Sequence, residues 1–429
     1  MRILYLCHFS NKIVRNHLIL KRWKLRNFIF KLLHHPIQKH VDYAVWNTDF
    51  FAEFERFHNE EFHILSPHNG MKKAFQSFEL NEINYHFFKD DGNLLSDWLK
   101  AKLRIGEKTN YISNRKKIAR IIKVVEPDLI ILCGAECTPF AISALDVKKV
   151  PIYVLLQTVA NLQKYIDAGI GSDYERLIER MIFQKSQFFG TIERQFFEKY
   201  KEINDDALCL PVRFPTHNPC IYEERKLFEF VFFGRVVVNK GIEDVLRALA
   251  IVVKKHSSAN LNIIGSCAPD YKEKLNTIIE DLELTDRVVF SPFFSDMDDM
   301  YRQVQKSTIA VLPGITASMN STVREAMFMK IPTIVYETSA CSIVNEKKPC
   351  LLIAKMKDVD DLAKKMCYCL DNPGIIRNIA NNAHEYASTI FSNSQIGDRL
   401  IANCEAIYQY SKNNVPVPKE LLFNESESV

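Results

Sequence analysis

The feature of this sequence that most constrains its fold is an alternation of short β-rich runs with helix-length segments. Eleven runs rich in Val, Ile, Leu, Tyr and Phe recur at residues 2–7, 61–66, 84–88, 128–133, 151–156, 228–233, 260–265, 287–290, 308–313, 331–336 and 351–354. Helix-length segments with apolar residues at helical spacing, such as residues 113–126, lie between many of them. Strands that alternate with helices predict an α/β protein with parallel sheets covered by helices on both faces.

A proline-rich segment interrupts this alternation in the middle of the chain. Three prolines, Pro211, Pro215 and Pro219, fall close together there, and proline both fixes φ and lacks the N–H that a helix or sheet needs. We therefore predict two doubly wound, Rossmann-like domains that face a central cleft. The predicted bounds of the two domains, the terminal helix and the flexible tail are 1–215, 216–394, 395–412 and 413–429.

The charge of the chain is nearly balanced. There are 56 basic and 52 acidic residues, which gives a formal charge of +4, too small over 429 residues to predict a nucleic-acid partner. The first 40 residues nevertheless contain nine basic residues and no acidic one. We favour a solvated helix face for this stretch, because its apolar residues do not form one helical stripe. The alternative is peripheral contact with an anionic membrane surface.

The cysteines and the N-terminal residues bear on the compartment. Eleven cysteines include no C-x-x-C pair, so the sequence predicts neither a zinc knuckle nor a redox pair, and we expect buried thiols in a reducing compartment. No run of 18 apolar residues occurs, and the first residues lack the apolar core of a signal peptide. We expect a cytoplasmic protein, with the inner face of the membrane as the alternative location.

A candidate anion site follows the β-rich run 228–233. Gly234 permits a tight turn, Arg235 and Lys240 lie in the loop, and an amphipathic helix begins directly after Lys240. Ligands bind beyond the carboxyl ends of strands in open parallel sheets. A guanidinium, an ammonium and a helix N-terminus at that edge favour a diphosphate, and the alternative is two surface cations beside a turn.

A second candidate follows the run 308–313. We expect Ser321 to cap a helix whose first N–H groups, including that of Thr322, point back toward the strand ends. Glu325 lies one turn into this helix and could accept hydrogen bonds from sugar hydroxyls, for instance those of a ribose. The alternative is that Glu325 is an ordinary first-turn carboxylate that stabilises the helix dipole.

Taken together, the two motifs resemble the family-4 type of retaining GT-B glycosyltransferases, the glycosyl transferases group 1. The segment FGRVVVNKG is similar to the "G-R-x-x-x-x-K-G" diphosphate-binding segment of that family, and LPGITASMNSTVREAMFMKIPTIV follows it in the family's order. The resemblance implies that Arg235 and Lys240 bind the diphosphate of the donor beside Gly234. It also implies that Thr322 contacts phosphate and that Glu325 binds the donor nucleoside. Preplaced cations and helix dipoles would stabilise the leaving nucleoside diphosphate, so no metal or other cofactor is expected.

Several positions depart from the family pattern. The family usually has a second acidic residue, which contacts the donor sugar, where this chain has Ala317, and a glycine where it has Lys330. Many members have a histidine that faces the sugar where this chain has Gln157. His8, at the end of the first run, is a candidate for acceptor binding or proton transfer, although an ordinary turn residue is the favoured interpretation. Such changes indicate an unusual sugar or a loss of activity.

The function implied by the resemblance is transfer of a hexosyl group, with retention, from a UDP- or GDP-linked sugar. The first domain would hold a saccharide or lipid-linked acceptor, and the terminal helix would cross back onto that domain. A role in cell-surface polysaccharide biosynthesis would agree with the basic first 40 residues. Two alternatives remain open: a non-catalytic GT-B partner that binds nucleotide or glycan, and a nucleotide-sugar epimerase.

Three other patterns favour ordinary structure over chemistry. Asp296 and Asp298 form an Asp-x-Asp pattern, but we expect Ser295 or Asp296 to cap a helix. Gly169 and Gly171 form a G-x-G pattern, which we interpret as a turn before a helix. His34 and His35 are interpreted as surface histidines.

Overall fold

The computed structural model describes the chain except for residues 9–10, 21–45, 69, 91–103, 168, 170, 293, 295, 316–318 and 425–429. Two compact units are present, and each is considered by itself. Unit 1 comprises Met1–Pro215 and Asn393–Ser428, and unit 2 comprises Thr216–Ser392. The proline-rich segment thus leads from one unit into the other.

Unit 1 contains an eight-stranded sheet of order β3-β4-β2-β1-β5-β6-β7-β8, in which β3 is antiparallel to β4 and the other described pairs are parallel. The strands are β1 (Arg2–Leu6), β2 (Glu61–Pro67), β3 (Phe75–Leu80), β4 (Ile83–Phe88), β5 (Leu129–Cys133), β6 (Ile152–Leu155), β7 (Phe188–Gly190) and β8 (Leu208–Cys209). Every residue of β5 is buried, as expected for a central parallel strand that is covered on both faces.

The helices of unit 1 cover both faces of this sheet, and two apolar clusters lie on its opposite sides. They are α1 (Lys12–Arg15), α2 (Trp46–Phe54), α3 (Ile105–Lys108), α4 (Ile112–Val125), α5 (Thr138–Ala141), α6 (Gln163–Asp167), α7 (Asp173–Lys185) and α8 (Arg194–Ile203). Helix α4 shows why the pattern folds in this way, because Ile118, Ile121 and Val125 share one face and are buried against the sheet.

Unit 2 contains a six-stranded parallel sheet of order β11-β10-β9-β12-β13-β14. Its strands are β9 (Phe228–Phe233), β10 (Leu261–Ile264), β11 (Val288–Phe290), β12 (Ser307–Val311), β13 (Thr333–Tyr336) and β14 (Leu352–Ala354). Its helices are α9 (Ile242–Val252), α10 (Pro269–Asp281), α11 (Met297–Val304), α12 (Ser321–Phe328), α13 (Ser339–Val344), α14 (Val359–Asp371) and α15 (Pro373–Ile390). A single large apolar cluster joins the sheet to these helices.

The last helix, α16 (Asn393–Asn413), packs on unit 1. Its Asn403 side chain is buried and donates hydrogen bonds to the Tyr153 hydroxyl at 3.0 Å and to the carbonyl of Leu210 at 3.3 Å. Of the tail predicted to be flexible at 413–429, the structure describes residues up to 424. The Phe423 ring in this segment stacks on Phe197 with a centroid distance of 4.2 Å.

The order of the strands singles out one edge position in each unit. In unit 1 the chain moves outward from β1 in one direction through β2 and in the other from β5 onward. In unit 2 the same reversal occurs between β9 and β12. Ligands of open α/β sheets bind at such switch points, beyond the carboxyl ends of the two strands. The loops that follow β1, β5, β9 and β12 are therefore where a ligand of either sheet is expected to bind.

Candidate functional site

The loop after β9 lies directly against the N-terminus of α12. Gly234 follows β9 directly and has a φ of 115°, and its N–H donates to the carbonyl of Ile264 at 3.0 Å. A Cβ atom at Gly234 would lie 2.9 Å from Cγ2 of Thr322. Both the positive φ and this close approach require glycine. Arg235 follows immediately and is exposed to solvent.

A second contact holds the loop at its other end. Gly241, at the N-terminus of α9, has a φ of 74°, and a Cβ atom there would lie 2.3 Å from the carbonyl oxygen of Pro313. The N–H of Ile315 donates to the carbonyl of Asn239 at 2.9 Å. The β9–α9 loop and the β12–α12 loop are thus fastened to each other on either side of the switch point of unit 2. This arrangement fixes the position of Lys240.

Lys240 is a half-buried cation in this position. Its Nζ donates a hydrogen bond to the side-chain oxygen of Asn320. Burial, with a contribution from the positive charge of Arg235, lowers the pKa of Lys240 to about 8, against the opposing effect of Glu325. The charges of Arg235 and Glu325 thus both act on Lys240, in opposite directions. An anion bound here would restore favourable surroundings for the ammonium.

The start of α12 differs from the sequence-based expectation. Asn320, not Ser321, is the N-cap residue, with extended backbone angles, and Ser321 is already helical. Asn and Ser are equally favourable N-cap residues, so the sequence left this choice open. The Asn320 side chain does not cap the helix and instead accepts the hydrogen bond from Lys240. Ser321 and Thr322 are the first helical residues, and their N–H groups have no acceptor inside the helix.

Glu325 is almost fully buried, with 9% of its surface exposed. It lies in the second turn of α12, and its effect on the pKa of Lys240 places its carboxylate within electrostatic range of the ammonium. Ala317, predicted beside the donor sugar, lies outside the described residues. Gly234, Arg235, Lys240, Ser321, Thr322 and Glu325 all belong to the two loops and the helix of one switch point.

Lys330 occupies a position that favours glycine. Its φ is 56°, in the left-handed region, and it follows Met329, the C-cap residue of α12. The N–H of Lys330 donates to Met327 at 3.1 Å and that of Ile331 donates to Ala326 at 3.0 Å, which is the Schellman pattern. The backbone that a glycine would adopt is thus preserved with lysine in its place.

His8 and Gln157 belong to unit 1, apart from these residues. The His8 ring packs edge-on against Phe140 at 5.0 Å, and desolvation lowers the pKa of His8, with an opposing effect from Asp90. Gln157 follows β6, and its Nε2 lies 2.6 Å from Sγ of Cys133. Both side chains are therefore at the carboxyl edge of the sheet of unit 1, close to its own switch point.

The structure adds two polar residues that sequence reasoning missed. Asn320 contacts Lys240, and its position directly before a predicted helix was a usable signal. Glu136 lies in the loop after β5 at the switch point of unit 1. A carboxylate three residues beyond a buried central strand was the corresponding signal there.

The patterns interpreted as ordinary structure fall in several places. Asp296 caps α11, since its Oδ1 accepts from the N–H of Asp298 at 2.9 Å, which confirms capping. Ser172, directly after Gly171, caps α7 in a capping box with Glu175. His34 and His35 lie outside the described residues, as does most of the basic stretch in the first 40.

Three further observations concern metals, membranes and thiols. Among the residues that the structure describes, no three His, Cys, Asp or Glu side chains form a group that could hold a metal ion. No helix in the described ranges is long and apolar enough to span a bilayer. All eleven cysteines are free, and most are buried as expected, whereas Cys220 in the proline-rich segment is exposed.

Comparison with known sequences agrees with the geometry. Residues 221–387 match the family model of the glycosyl transferases group 1. An uncharacterized glycosyltransferase of Haemophilus influenzae is 24% identical over 304 residues, which is 68% of this chain and 80% of that protein. The alpha-D-kanosaminyltransferase of Streptomyces kanamyceticus is 23% identical over 172 residues, 40% of this chain and 43% of that protein.

Solved structures extend the similarity to both units. Sucrose-phosphate synthase from Thermosynechococcus elongatus has a TM-score of 0.69 at 12% identity, over 95% of this chain and 99% of that one. Anabaena HepE in complex with UDP and glucose has a TM-score of 0.64 at 13% identity, over 95% and 100%. Residues 221–387 thus resemble the glycosyl transferases group 1, and the architecture shared with these solved structures is the GT-B fold.

Proposed function

We propose that this protein is a retaining hexosyltransferase that moves a sugar from a UDP- or GDP-linked donor to a saccharide or lipid-linked acceptor. The observation that carries the proposal is the group formed by Arg235, Lys240 and Glu325 at the switch point of unit 2. Retention rests on the resemblance of the two motifs to retaining enzymes. The neighbour HepE was solved with UDP and glucose, which supports a nucleotide-sugar donor.

In this proposal the diphosphate binds between the β9–α9 loop and the start of α12. Arg235 is exposed and available for a bidentate contact, and Lys240 supplies a partly desolvated positive charge. The N–H groups of Ser321 and Thr322, which have no acceptor inside the helix, add the positive end of the helix dipole. Glu325 would accept hydrogen bonds from the ribose hydroxyls of the donor.

The same groups explain how the sugar could leave. As the bond between the sugar and the phosphate breaks, negative charge develops on the nucleoside diphosphate. Cations and N–H groups that are already in position stabilise this charge without reorganisation. We therefore propose that the reaction needs no metal, with Arg235, Lys240 and the first turn of α12 as the stabilising groups.

Unit 1 would hold the acceptor, with His8 and Gln157 at its switch point as contacts. The nine basic residues in the first 40 would favour an acceptor attached to an anionic membrane, as in the assembly of a cell-surface polysaccharide. Sedimentation with vesicles containing anionic lipid, and with neutral vesicles as the control, tests this part of the proposal. Binding to neither kind of vesicle would remove the support for a membrane-bound acceptor.

The experiment that tests the function is nucleotide release from a panel of UDP- and GDP-sugars, with analysis of the sugar products. Arg235→Ala and Glu325→Ala are expected to reduce turnover, because each removes a group from the donor site. The exposed Arg225 and Glu273 of unit 2 lie outside this site, so Arg225→Ala and Glu273→Ala are matched controls. Wild-type turnover in both site variants would contradict the proposal.

The two alternatives have distinct outcomes in the same experiment. A non-catalytic partner would bind a nucleotide and release none from any donor. An epimerase would convert the nucleotide sugar into its epimer without releasing free nucleotide. Product analysis without added acceptor separates both from a transferase.

A further inference from the structure

Glu136 lies at the switch point of unit 1, in the loop between β5 and α5. The loop begins at Gly134, which has a φ of 92°. A Cβ atom at Gly134 would lie 3.1 Å and 3.3 Å from the two carboxyl oxygens of Glu136. The loop therefore folds the Glu136 carboxyl back over the end of β5, where ligands of such sheets bind.

The carboxyl of Glu136 is incompletely bonded. Its Oε2 atom is buried and has no hydrogen-bond partner in the part of the chain that the structure describes. Buried polar atoms in proteins are nearly always paired, and leaving one unpaired is costly. An unpaired carboxyl oxygen at a ligand-binding edge therefore needs an explanation other than stability.

A neighbouring carboxylate in the same unit shows what a structural role looks like. Glu179 of α7 is fully buried and accepts hydrogen bonds from the N–H of Ala160 at 2.9 Å and that of Asn161 at 3.0 Å. The Asn161 side chain donates to it as well, at 2.7 Å. Glu179 thus holds the chain after β6 in place, whereas Glu136 holds nothing through its Oε2.

Several titratable groups in the described part of unit 1 act on Glu136 or are acted on by it. They include the carboxyl groups of Glu175 and Glu179 on α7, the thiols of Cys133 and Cys137, and the hydroxyl of Tyr165. Burial, with smaller contributions from the two glutamates, raises the pKa of Glu136 to about 8, against the opposing effects of hydrogen bonds from its own backbone N–H and from the Cys137 thiol. The group is therefore a neutral carboxylic acid near pH 7 and can donate a hydrogen bond as well as accept one.

Other uncharged groups share this edge. Gln157 contacts Cys133 at the end of β5, and the His8 ring packs on Phe140 of α5, four residues beyond Glu136. An acid, an amide and a largely neutral imidazole offer donors and acceptors without a strong positive charge. Such a set suits the hydroxyl groups of a sugar better than a phosphate.

We propose that Glu136 binds the acceptor saccharide, donating a hydrogen bond from its carboxylic O–H to an oxygen atom of that sugar. The proposal rests on the proposed function only in that the acceptor is a saccharide. Glu136 acts here as a binding residue, and the bond-breaking step at the donor does not involve it.

The test measures the binding of saccharides to the full chain by saturation-transfer NMR. The ligands are the methyl glycosides of glucose, galactose, mannose and N-acetylglucosamine. We expect wild-type affinity for at least one glycoside to fall about tenfold between pH 7 and pH 9, as Glu136 ionises. Glu136→Gln keeps a neutral donor and should bind with little dependence on pH over that range. Glu136→Leu should weaken binding about tenfold or more at pH 7.

Stability distinguishes this role from a structural one. Because Oε2 is unpaired, Glu136→Leu should melt at the same temperature as the wild type or higher, whereas a structural carboxyl would lower it. Equal affinity of wild type and Glu136→Leu, or no glycoside bound by the wild type, would overturn the inference. Nucleotide release is measured separately, so a wild type that binds glycoside but releases no nucleotide from any donor contradicts the proposed function alone.

Discussion

Lys240 donates a hydrogen bond from its Nζ to the side-chain oxygen of Asn320, and so joins the loop after β9 to the residue that precedes α12. The bond crosses the switch point of unit 2, where the topology predicts a ligand. Through this bond the half-buried ammonium of Lys240 has one neutral acceptor. Among the described residues, no carboxylate forms a direct ion pair with it. An arriving diphosphate would supply the missing negative charge.

Lys240→Met should stabilise the protein and weaken donor binding about tenfold or more. Burial lowers the pKa of Lys240 to about 8, so near pH 7 the folded state holds a charged group at a cost that the variant removes. After allowance for the lost hydrogen bond to Asn320, we expect a gain of about 1 to 2 kcal/mol in the free energy of unfolding. Chemical denaturation and nucleotide titration measure the two effects. A variant that is destabilised and binds nucleotide as tightly as the wild type would contradict this account.

Replacements of Asn320 should alter affinity in a way that depends on charge. Asn320→Asp would place a carboxylate against Lys240, neutralise it and reduce nucleoside-diphosphate affinity about tenfold. Asn320→Ala removes the acceptor but keeps the positive charge, so affinity should be retained. Isothermal titration calorimetry with UDP and GDP compares the two variants. Equal effects of Asp and Ala would show that the Lys240 charge is not what the ligand recognises.

Lys330→Gly should increase stability without changing donor binding. A lysine at a φ of 56° adopts a backbone conformation that disfavours side chains with a Cβ atom. We expect a gain of about 1 kcal/mol in the free energy of unfolding, measured by denaturant titration. Lys364, exposed within α14, is the matched control, and Lys364→Gly should lose about 1 kcal/mol. Similar losses in both variants would exclude the proposed strain.

A pair of histidines in unit 1 should make stability depend on pH. His63 and His86 share a hydrogen bond of 2.9 Å, and His63 also contacts Glu61. Desolvation lowers the pKa of His86 to about 4, and it lowers that of His63 as well. An unfolded histidine binds a proton near pH 6.5 and the folded His86 only near pH 4, so stability is present at neutral pH and falls as the pH decreases through this window.

The effect can be isolated by substitution. His86→Gln should remove up to about 3 kcal/mol of the stability lost between pH 7 and pH 4. His58, which is exposed and paired with Glu82, is the matched substitution, and the pH profile of His58→Gln is compared with that of His86→Gln. The free energy of unfolding at several pH values is the measurement. Identical pH profiles for wild type and His86→Gln would show that the histidine pair does not cause the loss of stability at low pH.

Much of the architecture could be predicted from the sequence. Each of the eleven β-rich runs forms a strand, because buried parallel strands are apolar on both faces and stand out against the helices. Strands β3, β7 and β8 were missed. The segment Phe75–Leu80 of β3 is half-exposed at the edge of the sheet, and β7 and β8 are too short to show a period.

The candidate site was only partly predictable. The donor-binding part of the site could be predicted from the positions of Arg235 and Lys240 after a strand, because the loops after parallel strands lie together at one edge of the sheet. The hydrogen bond between Lys240 and Asn320 joins residues 80 positions apart, so no local pattern could show it. Whether the Oε2 atom of Glu136 has a hydrogen-bond partner depends on which donors the folded loop brings near it. The composition of the sequence does not determine this.

The central claim is that Arg235 and Lys240 bind the diphosphate of a nucleotide without a metal. Calorimetric titration of UDP and GDP in excess chelator tests it most directly, with wild type, Arg235→Ala, Lys240→Met and the control Arg225→Ala. We predict that the wild type and the control bind at least one nucleotide equally well, and that each site variant loses about tenfold or more in affinity. Failure of the wild type to bind either nucleotide, or undiminished binding by both site variants, would contradict the account.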